Sequence, residues 1–318
     1  MQSVGASMTV ASRARPFLKW AGGKTQLLDQ IAERFPAVLK HGQIDRYVEP
    51  FIGGGAVFLY VAQRYAVEQF VLFDINRELI LAYRTLQRAA DDLIEKLEAL
   101  GLHYHALDGD ERRGFFYRVR ERFNTLAGEI DYDHFDGRWV ERTAQIIFLN
   151  RTCYNGLFRM NTKAQFNVPF GRYRNPSICM PENLKAVAAL LARARIEWGD
   201  FTDCAALAGP GTFMYFDPPY RPLSKTARFT AYSAFGFDDA EQLRLAQLYR
   251  TLDAAGAKLM LSNCDPLNTD PADDFFERAY AGFEIRRVHA SRLVNCRAAR
   301  RGVITELLIT NYPQTAGG

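Results

Sequence analysis

The chain has 318 residues, of which 48% are hydrophobic and 24% charged, and its net charge is only +4. These are ordinary values for a globular protein, and no apolar run reaches the ~18 residues needed to cross a bilayer. The five cysteines are scattered without a CxxC pair, which argues for reduced thiols and against a zinc site or a disulfide frame. We therefore expect a cytoplasmic protein without a metal site, and a disordered lead-in over residues 1–15.

The first hundred residues have the pattern of a β-α-β unit. Apolar spacing predicts a helix over residues 24–35, a strand at 47–48 that leads into a glycine-rich turn, and a helix from residue 56. The apolar run 70–74 predicts a second strand, and residues 78–100 are mostly helical in pattern. This order indicates a parallel sheet with helices on its faces.

The pattern becomes polar and irregular between about residues 101 and 180 and then returns to alternating helices and strands. The irregular part predicts short helices near 115–123 and 142–150 and a strand-like segment at 166–170. The later elements are a helix at 186–195, strands at 196–198, 212–216, 258–262, 283–293 and 304–312, and a helix that starts at a capping box of Asp238 and Glu241. We therefore expect an α/β domain interrupted by an insertion, with the polar loop 221–237 as a candidate lid.

The turn at residues 49–55 (EPFIGGG) is a candidate nucleoside site. A strand, a glycine turn and a helix N-terminus present free amides to a ligand, and Asp74 follows Gly53 by 21 residues, close to the ~20 expected for an acid that holds a ribose. The dinucleotide fingerprint fails because Phe58 stands where its third glycine belongs. With Glu49 beside it, the turn suits an uncharged or cationic nucleoside such as S-adenosylmethionine; the alternative is a merely structural turn.

The run WAGGKT at residues 20–25 resembles a phosphate-binding loop, but Leu18 stands where that pattern requires glycine, so ATP binding is not expected. Trp20 beside two glycines indicates a ring packed where the backbone approaches a ligand. An ordinary helix entry remains the alternative.

The run DPPY at residues 217–220 follows the predicted strand 212–216. Its two prolines stiffen the turn and remove two backbone donors, which leaves the Asp217 carboxylate and the Pro218 carbonyl as acceptors for an amine. Tyr220 offers a face on which a flat ring stacks. This set is typical of a clamp for a planar amine; a strand-ending turn with a solvated aspartate is the alternative.

Two arginine-rich segments, 142–181 and 285–305, contain no acidic residue. Such segments indicate a polyanionic partner, most simply nucleic acid, although a solvated basic face has the same composition. Their arginines are Arg142, Arg151, Arg159, Arg172, Arg174, Arg286, Arg287, Arg292, Arg297, Arg300 and Arg301.

Taken together, residues 17–24 (FLKWAGGK), 49–55 (EPFIGGG) and 217–220 (DPPY), with 151–159 (RTCYNGLFR) and 166–173 (FNVPFGRY), resemble the Dam-type, D12-class DNA adenine-N6 methyltransferases over residues 16–312. The resemblance implies a Rossmann-like, S-adenosylmethionine-dependent methyltransferase sheet, formed by residues 16–77 and 180–313, with a mostly helical target-recognition domain at 78–179. It also implies a monomer that flips adenine out of double-stranded DNA, with no membrane and no obligate protein partner.

The resemblance further assigns residue roles. The catalytic residues are Asp217, Pro218 and Tyr220. The cofactor residues are Trp20, Lys24, Glu49, Phe51, Gly53, Gly55, Asp74 and Asp217. The DNA-binding residues are Lys19, Tyr154, Asn155, Leu157, Arg159, Pro169 and Tyr173.

The enzymes most similar in the insert recognise GATC, which makes GATC the expected site. The resemblance implies that Lys19 and Arg159 read guanines, that Leu157 and Pro169 contact a thymine methyl, and that Tyr154 wedges into the base stack. The neighbours of Arg159, Phe158 and Met160, depart from some relatives, so another short recognition site remains open. Two rival functions are an RNA or protein amine methyltransferase and a catalytically silent DNA-binding module.

Overall fold

A computed structural model describes residues 13–221, 237–291 and 303–313. Residues 1–12 of the expected disordered lead-in, most of the candidate lid, and four arginines of the second basic segment therefore lie outside the described residues; these arginines are Arg292, Arg297, Arg300 and Arg301. The lead-in was expected to extend to residue 15, but Ala14 is buried and its amide donates to the Gln63 side chain at 2.8 Å, which fixes the chain there. Within those residues, no helix is long and apolar enough to cross a membrane.

A seven-stranded sheet forms the centre of the fold, in the order β3-β2-β1-β4-β5-β7-β6. Its strands are β1 Arg46–Glu49, β2 Gln69–Asp74, β3 Ala194–Trp198, β4 Thr212–Phe216, β5 Lys258–Cys264, β6 Glu284–Ser291 and β7 Val303–Thr310. The first five are mutually parallel, whereas β7 runs antiparallel between β5 and β6. The predicted α/β class, the parallel core and the antiparallel tail are thus confirmed.

Helices cover both faces of this sheet. They are α1 Leu28–Glu33, α2 Ala37–Lys40, α3 Ala56–Arg64, α4 Arg77–Arg88, α5 Ala90–Ala106, α6 Gly109–Thr125, α7 Gly137–Thr152, α8 Pro181–Leu191, α9 Asp239–Ala254 and α10 Phe275–Ala279. Side chains alternate along each strand, so Phe213 and Tyr215 of β4 join one core while Met214 and Phe216 join the other. Strand β4 is an unbroken apolar run because both of its faces are buried in a core.

The chain between β2 and β3 builds a helical layer against one face of the sheet. Helix α4 packs on β2 and β3, and α7 lies against α4, α5 and α6. Arg142 of α7 and Glu78 of α4 form a buried ion pair with Nε and Oε2 at 3.0 Å, and Tyr132 donates to the same carboxylate at 2.8 Å. These bonds tie the outer helices to the helix that covers the sheet.

Several local predictions differ from the structure. Residues 166–170 do not form a strand: they make only the isolated bridges of Phe166 with Met160 and of Phe170 with Cys153, because Pro169 has no amide hydrogen to extend a ladder. The helices expected at 115–123 and 142–150 are longer, since aspartates cap α6 and α7 further upstream. Asp238 caps α9 as expected, but Glu241 pairs with Arg244 at 2.6 Å and does not complete a capping box.

Candidate active site

The predicted cofactor and catalytic residues lie at the carboxyl ends of adjacent parallel strands. Glu49 ends β1, Asp74 ends β2 and Asp217 follows β4. Because β1 lies between β2 and β4, these three acids share one edge of the sheet. This is the edge at which open α/β sheets bind ligands.

The glycine turn after β1 needs glycine for both conformation and space. Gly53 and Gly55 have φ angles of 46° and 70°, in the left-handed region that side chains disfavour. A Cβ atom at Gly53 would lie 3.0 Å from Cδ1 of Trp20, and one at Gly55 would lie 2.5 Å from the Tyr83 hydroxyl. The turn therefore packs directly on the Trp20 indole, which joins two motifs that lie 33 residues apart in the chain.

Asp74 is held against this turn by backbone amides. Its Oδ2 accepts from the Gly53 amide at 3.1 Å, and its Oδ1 accepts from the Asn76 amide at 2.9 Å. The side chain keeps part of its surface accessible, yet protein surrounds it closely. Burial raises the pKa of Asp74 to about 6, despite backbone hydrogen bonds that lower it. Asp74 thus combines fixed geometry with spare acceptor capacity.

Lys24 and Asp217 form the centre of the site. Lys24 is only 3% exposed, and its Nζ lies 2.6 Å from Asp217 Oδ1. The same ammonium donates to the Gly22 carbonyl at 2.8 Å and lies 4.7 Å from the centroid of the Tyr220 ring. Lys24 thus contacts both of the predicted catalytic side chains, Asp217 and Tyr220.

Ser262 and Glu306 complete this centre and were missed by the sequence analysis. The Ser262 hydroxyl donates to Asp217 Oδ1 at 2.9 Å, and the Tyr220 hydroxyl donates to Oε2 of Glu306. Burial raises the pKa of Glu306, and the charge of Lys24 lowers it. A single charged residue inside the otherwise uncharged strand β7 was the only sequence signal for Glu306, and Ser262 had none.

Glu49 and Phe51 lie behind the exposed part of the site. Glu49 is 2% exposed and accepts from the Tyr47 hydroxyl at 2.7 Å. Burial raises the pKa of Glu49 well above its usual range, although the hydrogen bond from Tyr47 lowers it. Phe51 stacks on Phe201 at 5.5 Å and meets Phe237 edge-on at 5.7 Å. Glu49 thus lies beneath the site, and Phe51 belongs to an aromatic cluster at its margin.

Lys19 is fixed to the candidate recognition segment 153–173 by a buried amide. The Asn150 side chain accepts from the Lys19 amide at 2.8 Å and donates to the carbonyls of Lys19 at 2.9 Å and Gly156 at 2.8 Å. Lys19 is an exposed residue, and its ammonium lies 5.2 Å from the centroid of the Tyr173 ring. Asn150, which the sequence analysis did not single out, thus brings these DNA-binding candidates together.

The remaining DNA-binding candidates lie on the same segment. Tyr154 is 56% exposed, its amide donates to the Pro169 carbonyl at 2.8 Å, and Asn155 beside it has a φ of 56°. Arg159 donates through Nε to the Asn167 side chain at 2.9 Å, which orients its guanidinium. Leu157 is half-buried.

Phe158 links this segment to Trp20, which packs on the glycine turn. Its ring stacks on that of Trp20 at 5.8 Å with an interplanar angle of 19°. Trp20 therefore contacts the glycine turn and the recognition segment.

The comparisons with known proteins agree with this geometry. A family model described as D12 class N6 adenine-specific DNA methyltransferase matches residues 20–293. The chain belongs to this family. It is 48% identical to a protein of Methanocaldococcus jannaschii named type II methyltransferase M.MjaIII, over 94% of this chain and 99% of that protein. It is 37% identical to the type II methyltransferase M1.LlaDCHI of Lactococcus lactis subsp. cremoris, over 94% and 95% of the two chains.

The methyltransferase is also 35% identical to a DNA adenine methylase of Serratia marcescens, over 92% of this chain and 97% of that one. Adenine-specific DNA methylation, the expected family and the mixed α/β sheet are thereby confirmed. The match to the family model spans the Trp20 motif, the glycine turn and the Asp217 motif.

Proposed function

We propose that this methyltransferase takes its methyl group from S-adenosylmethionine, acts as a monomer on double-stranded DNA, and methylates adenine N6 within GATC after swinging the base out of the helix. The observation that carries the proposal is the convergence of Lys24, Asp217, Tyr220 and the glycine turn at one edge of the sheet. Adenine must leave the base stack because N6 is inaccessible to a bulky donor inside the duplex.

The charges around this edge fit a cationic cofactor. The carboxyl groups of Glu49, Asp74 and Glu306 all have raised pKa values, because burial disfavours their ionised forms. A nearby positive charge relieves that cost, whereas the phosphates of a nucleotide would increase the repulsion. When bound, S-adenosylmethionine supplies a methyl group activated by a positively charged sulfur.

The residues that would hold this cofactor follow from their positions. Asp74 has accessible surface and, among the residues that the structure describes, accepts only from backbone amides, so it would accept the ribose hydroxyls. The Gly53–Gly55 backbone would lie beneath the nucleoside, because no side chain keeps it at a distance. Trp20 would bound the site from the side of the recognition segment.

Asp217, Pro218 and Tyr220 would position the target adenine. Among the described residues, both hydrogen bonds of Asp217 end on Oδ1, and no donor reaches the Pro218 carbonyl. Asp217 Oδ2 and that carbonyl would therefore accept the two N6 hydrogens. Such bonds favour a pyramidal nitrogen, which frees its lone pair from the ring and directs it at the methyl group. Tyr220 would stack on the extruded base, and Asp217 would take the released proton late.

The DNA-reading part of the proposal rests on the segment 153–173 and Lys19, in a target-recognition domain that we propose to span residues 78–179. Arg159 and Lys19 present cationic donors, which pair with O6 and N7 of guanine. The Asn167 side chain accepts from Arg159 Nε, and the Asn150 side chain accepts from the Lys19 amide, so both residues are held in place. Apolar Leu157 and Pro169 would contact a thymine methyl, and exposed Tyr154 would enter the base stack, while Asn155 and Tyr173 support the DNA-facing surface.

A methylation assay tests this function. Purified protein is incubated with methyl-labelled S-adenosylmethionine and a duplex that contains one GATC site, and the product is digested both to nucleosides and with nucleases that differ in sensitivity to methylated GATC. We expect N6-methyladenine and the cleavage pattern of methylated GATC. Asp217→Ala should abolish turnover and leave cofactor binding largely intact.

The controls separate the parts of the proposal. If N6-methyladenine forms but cleavage at GATC does not change, GATC is refuted as the recognition site. Adenine-N6 methylation would then occur at another short site. Equal labelling of RNA or of single-stranded DNA would refute the duplex preference. Full turnover by Asp217→Ala would overturn the assignment of the catalytic carboxylate.

A further inference from the structure

A chain of buried hydroxyl groups ends on the catalytic carboxylate. Tyr215 of β4 and Ser262 of β5 lie on neighbouring strands, and both are fully buried. The Tyr215 hydroxyl lies 2.9 Å from Ser262 Oγ, and Ser262 Oγ lies 2.9 Å from Asp217 Oδ1. The three polar groups therefore form a continuous line from the interior of the sheet to the active site.

The chemistry of these groups fixes the direction of the chain. A carboxylate only accepts, so Ser262 must use its single hydrogen on Asp217. The Tyr215 hydroxyl must then donate to Ser262, because Ser262 has no second hydrogen to give. The Phe216 carbonyl competes for the serine hydrogen only at the longer distance of 3.4 Å. Burial raises the pKa of Tyr215 well above its usual range, which keeps this donor protonated.

Within the described part of the chain, the donors to Asp217 all bind the same one of its two carboxylate oxygens. Lys24 Nζ at 2.6 Å and Ser262 Oγ at 2.9 Å both end on Oδ1, and among the described residues no donor reaches Oδ2. A carboxylate oxygen accepts near the plane of its group, so two donors on one oxygen fix the orientation of that plane. Lys24 alone would leave rotation about the Cβ–Cγ bond, which is a broad torsion.

We propose that Ser262 is a positioning residue, supported by Tyr215, that orients the Asp217 carboxylate so that Oδ2 alone faces the target amine. This inference deepens the proposed function and rests on it. Loss of the serine hydroxyl would leave Asp217 paired with Lys24 while the plane of its carboxylate turned. Methyl transfer would slow because the amine acceptor would spend most of its time misaligned.

The test compares Ser262→Ala with wild-type protein in methylation assays at saturating DNA and cofactor. A hydrogen bond to a charged group contributes about 1.5–3 kcal/mol, so we expect kcat to fall about ten- to a hundredfold. The KM for cofactor and the Kd for DNA should stay within about twofold, because the serine touches neither ligand. Tyr215→Phe should lower kcat by only a fewfold, and the double variant should match Ser262→Ala, since Tyr215 acts through Ser262.

Thr85→Val is the matched control. Thr85 is also fully buried, and its hydroxyl donates to the Leu81 carbonyl within α4 at 2.8 Å. This variant should lower the melting temperature to a similar degree as Ser262→Ala and leave kcat unchanged. A melting-temperature loss shared by both variants, with no loss of kcat in Ser262→Ala, would overturn the inference.

The outcomes also distinguish this inference from the proposed function. If wild-type protein transfers methyl groups and Ser262→Ala keeps its kcat, only the positioning role is wrong. If wild-type protein transfers no methyl group to adenine, both the proposed function and the positioning role of Ser262 are wrong. If Ser262→Ala does not fold, Tyr215→Phe becomes the test. An unchanged kcat in Tyr215→Phe would refute the proposed role of the hydrogen-bonded hydroxyls.

Discussion

Asp74 gives the sharpest prediction because its ionisation should act in opposite directions on stability and on cofactor binding. Its folded pKa of about 6 lies above its ordinary value of 3.8. A carboxyl whose pKa rises on folding binds its proton more tightly in the folded state. Its stabilising effect is therefore complete below about pH 4 and is lost as the pH rises through about 6.

The size of the effect follows from the same shift. Between about pH 5 and pH 8 the folded state releases roughly one more proton than the unfolded state, and each pKa unit corresponds to about 1.4 kcal/mol. Wild-type protein should therefore lose about 1.4 kcal/mol of unfolding free energy over this range relative to Asp74→Asn, which cannot ionise there. This is an upper value, since part of the Asp74 side chain contacts solvent.

Urea unfolding of the cofactor-free proteins at several pH values gives the first measurement, and titration calorimetry with S-adenosylmethionine gives the second. The ratio of wild-type to variant affinity should rise about tenfold from about pH 5 to pH 8, because in the proposed binding mode only an ionised Asp74 would accept fully from the ribose hydroxyls. Changes in the cofactor itself cancel in this ratio. A stability difference that stays constant over the range, or an affinity ratio that falls with pH, would refute the reasoning.

Three further variants test the fold and the recognition segment. Gly55→Ala places a Cβ 2.5 Å from the Tyr83 hydroxyl at a residue whose φ is 70°, so it should lower the free energy of unfolding by about 2 kcal/mol in urea. The control Gly109→Ala places its Cβ in open space and should leave that free energy unchanged. Equal losses in the two variants would contradict the steric argument. Arg159→Ala should reduce discrimination at one base pair by ~1–3 kcal/mol in competition methylation assays, and Asn167→Ala should reduce it less. An equal loss of DNA affinity on all sequences would instead identify Arg159 as a phosphate contact. Arg142→Met leaves a buried carboxylate without its partner and should lower the unfolding free energy by about 3–5 kcal/mol; a change below about 1 kcal/mol would show that the pair stabilises little.

The features that were predictable from sequence are those encoded by short segments. Strand β4 has the predicted bounds, because glycine and proline flank an unbroken apolar run. The acids at the strand ends were predictable for a similar reason: parallel strands bring their carboxyl ends to one edge of the sheet. The absence of a strand at residues 166–170 was not predicted, because their apolar pattern favours a strand whereas Pro169 lacks the amide hydrogen that a ladder needs.

The missed residues depend on contacts between distant parts of the chain. Glu306 meets Tyr220 across 86 residues, Ser262 meets Asp217 across 45, and Asn150 meets Lys19 across 131. None of them belongs to a local pattern, and their roles appear only once the sheet order places β5 beside β4 and β7 beside β5. The sequence thus predicts candidate ligand contacts, whereas the residues that hold those side chains appear only in the fold.

The most direct measurement of the central claim is a crystal structure of the protein with S-adenosylhomocysteine and a duplex that it methylates. The account predicts that the target adenine lies outside the helix against Tyr220, with N6 within about 3.2 Å of both Asp217 Oδ2 and the Pro218 carbonyl. An adenine that remains stacked, or an N6 that contacts other groups while Lys24 and Ser262 still occupy Oδ1, would contradict the account.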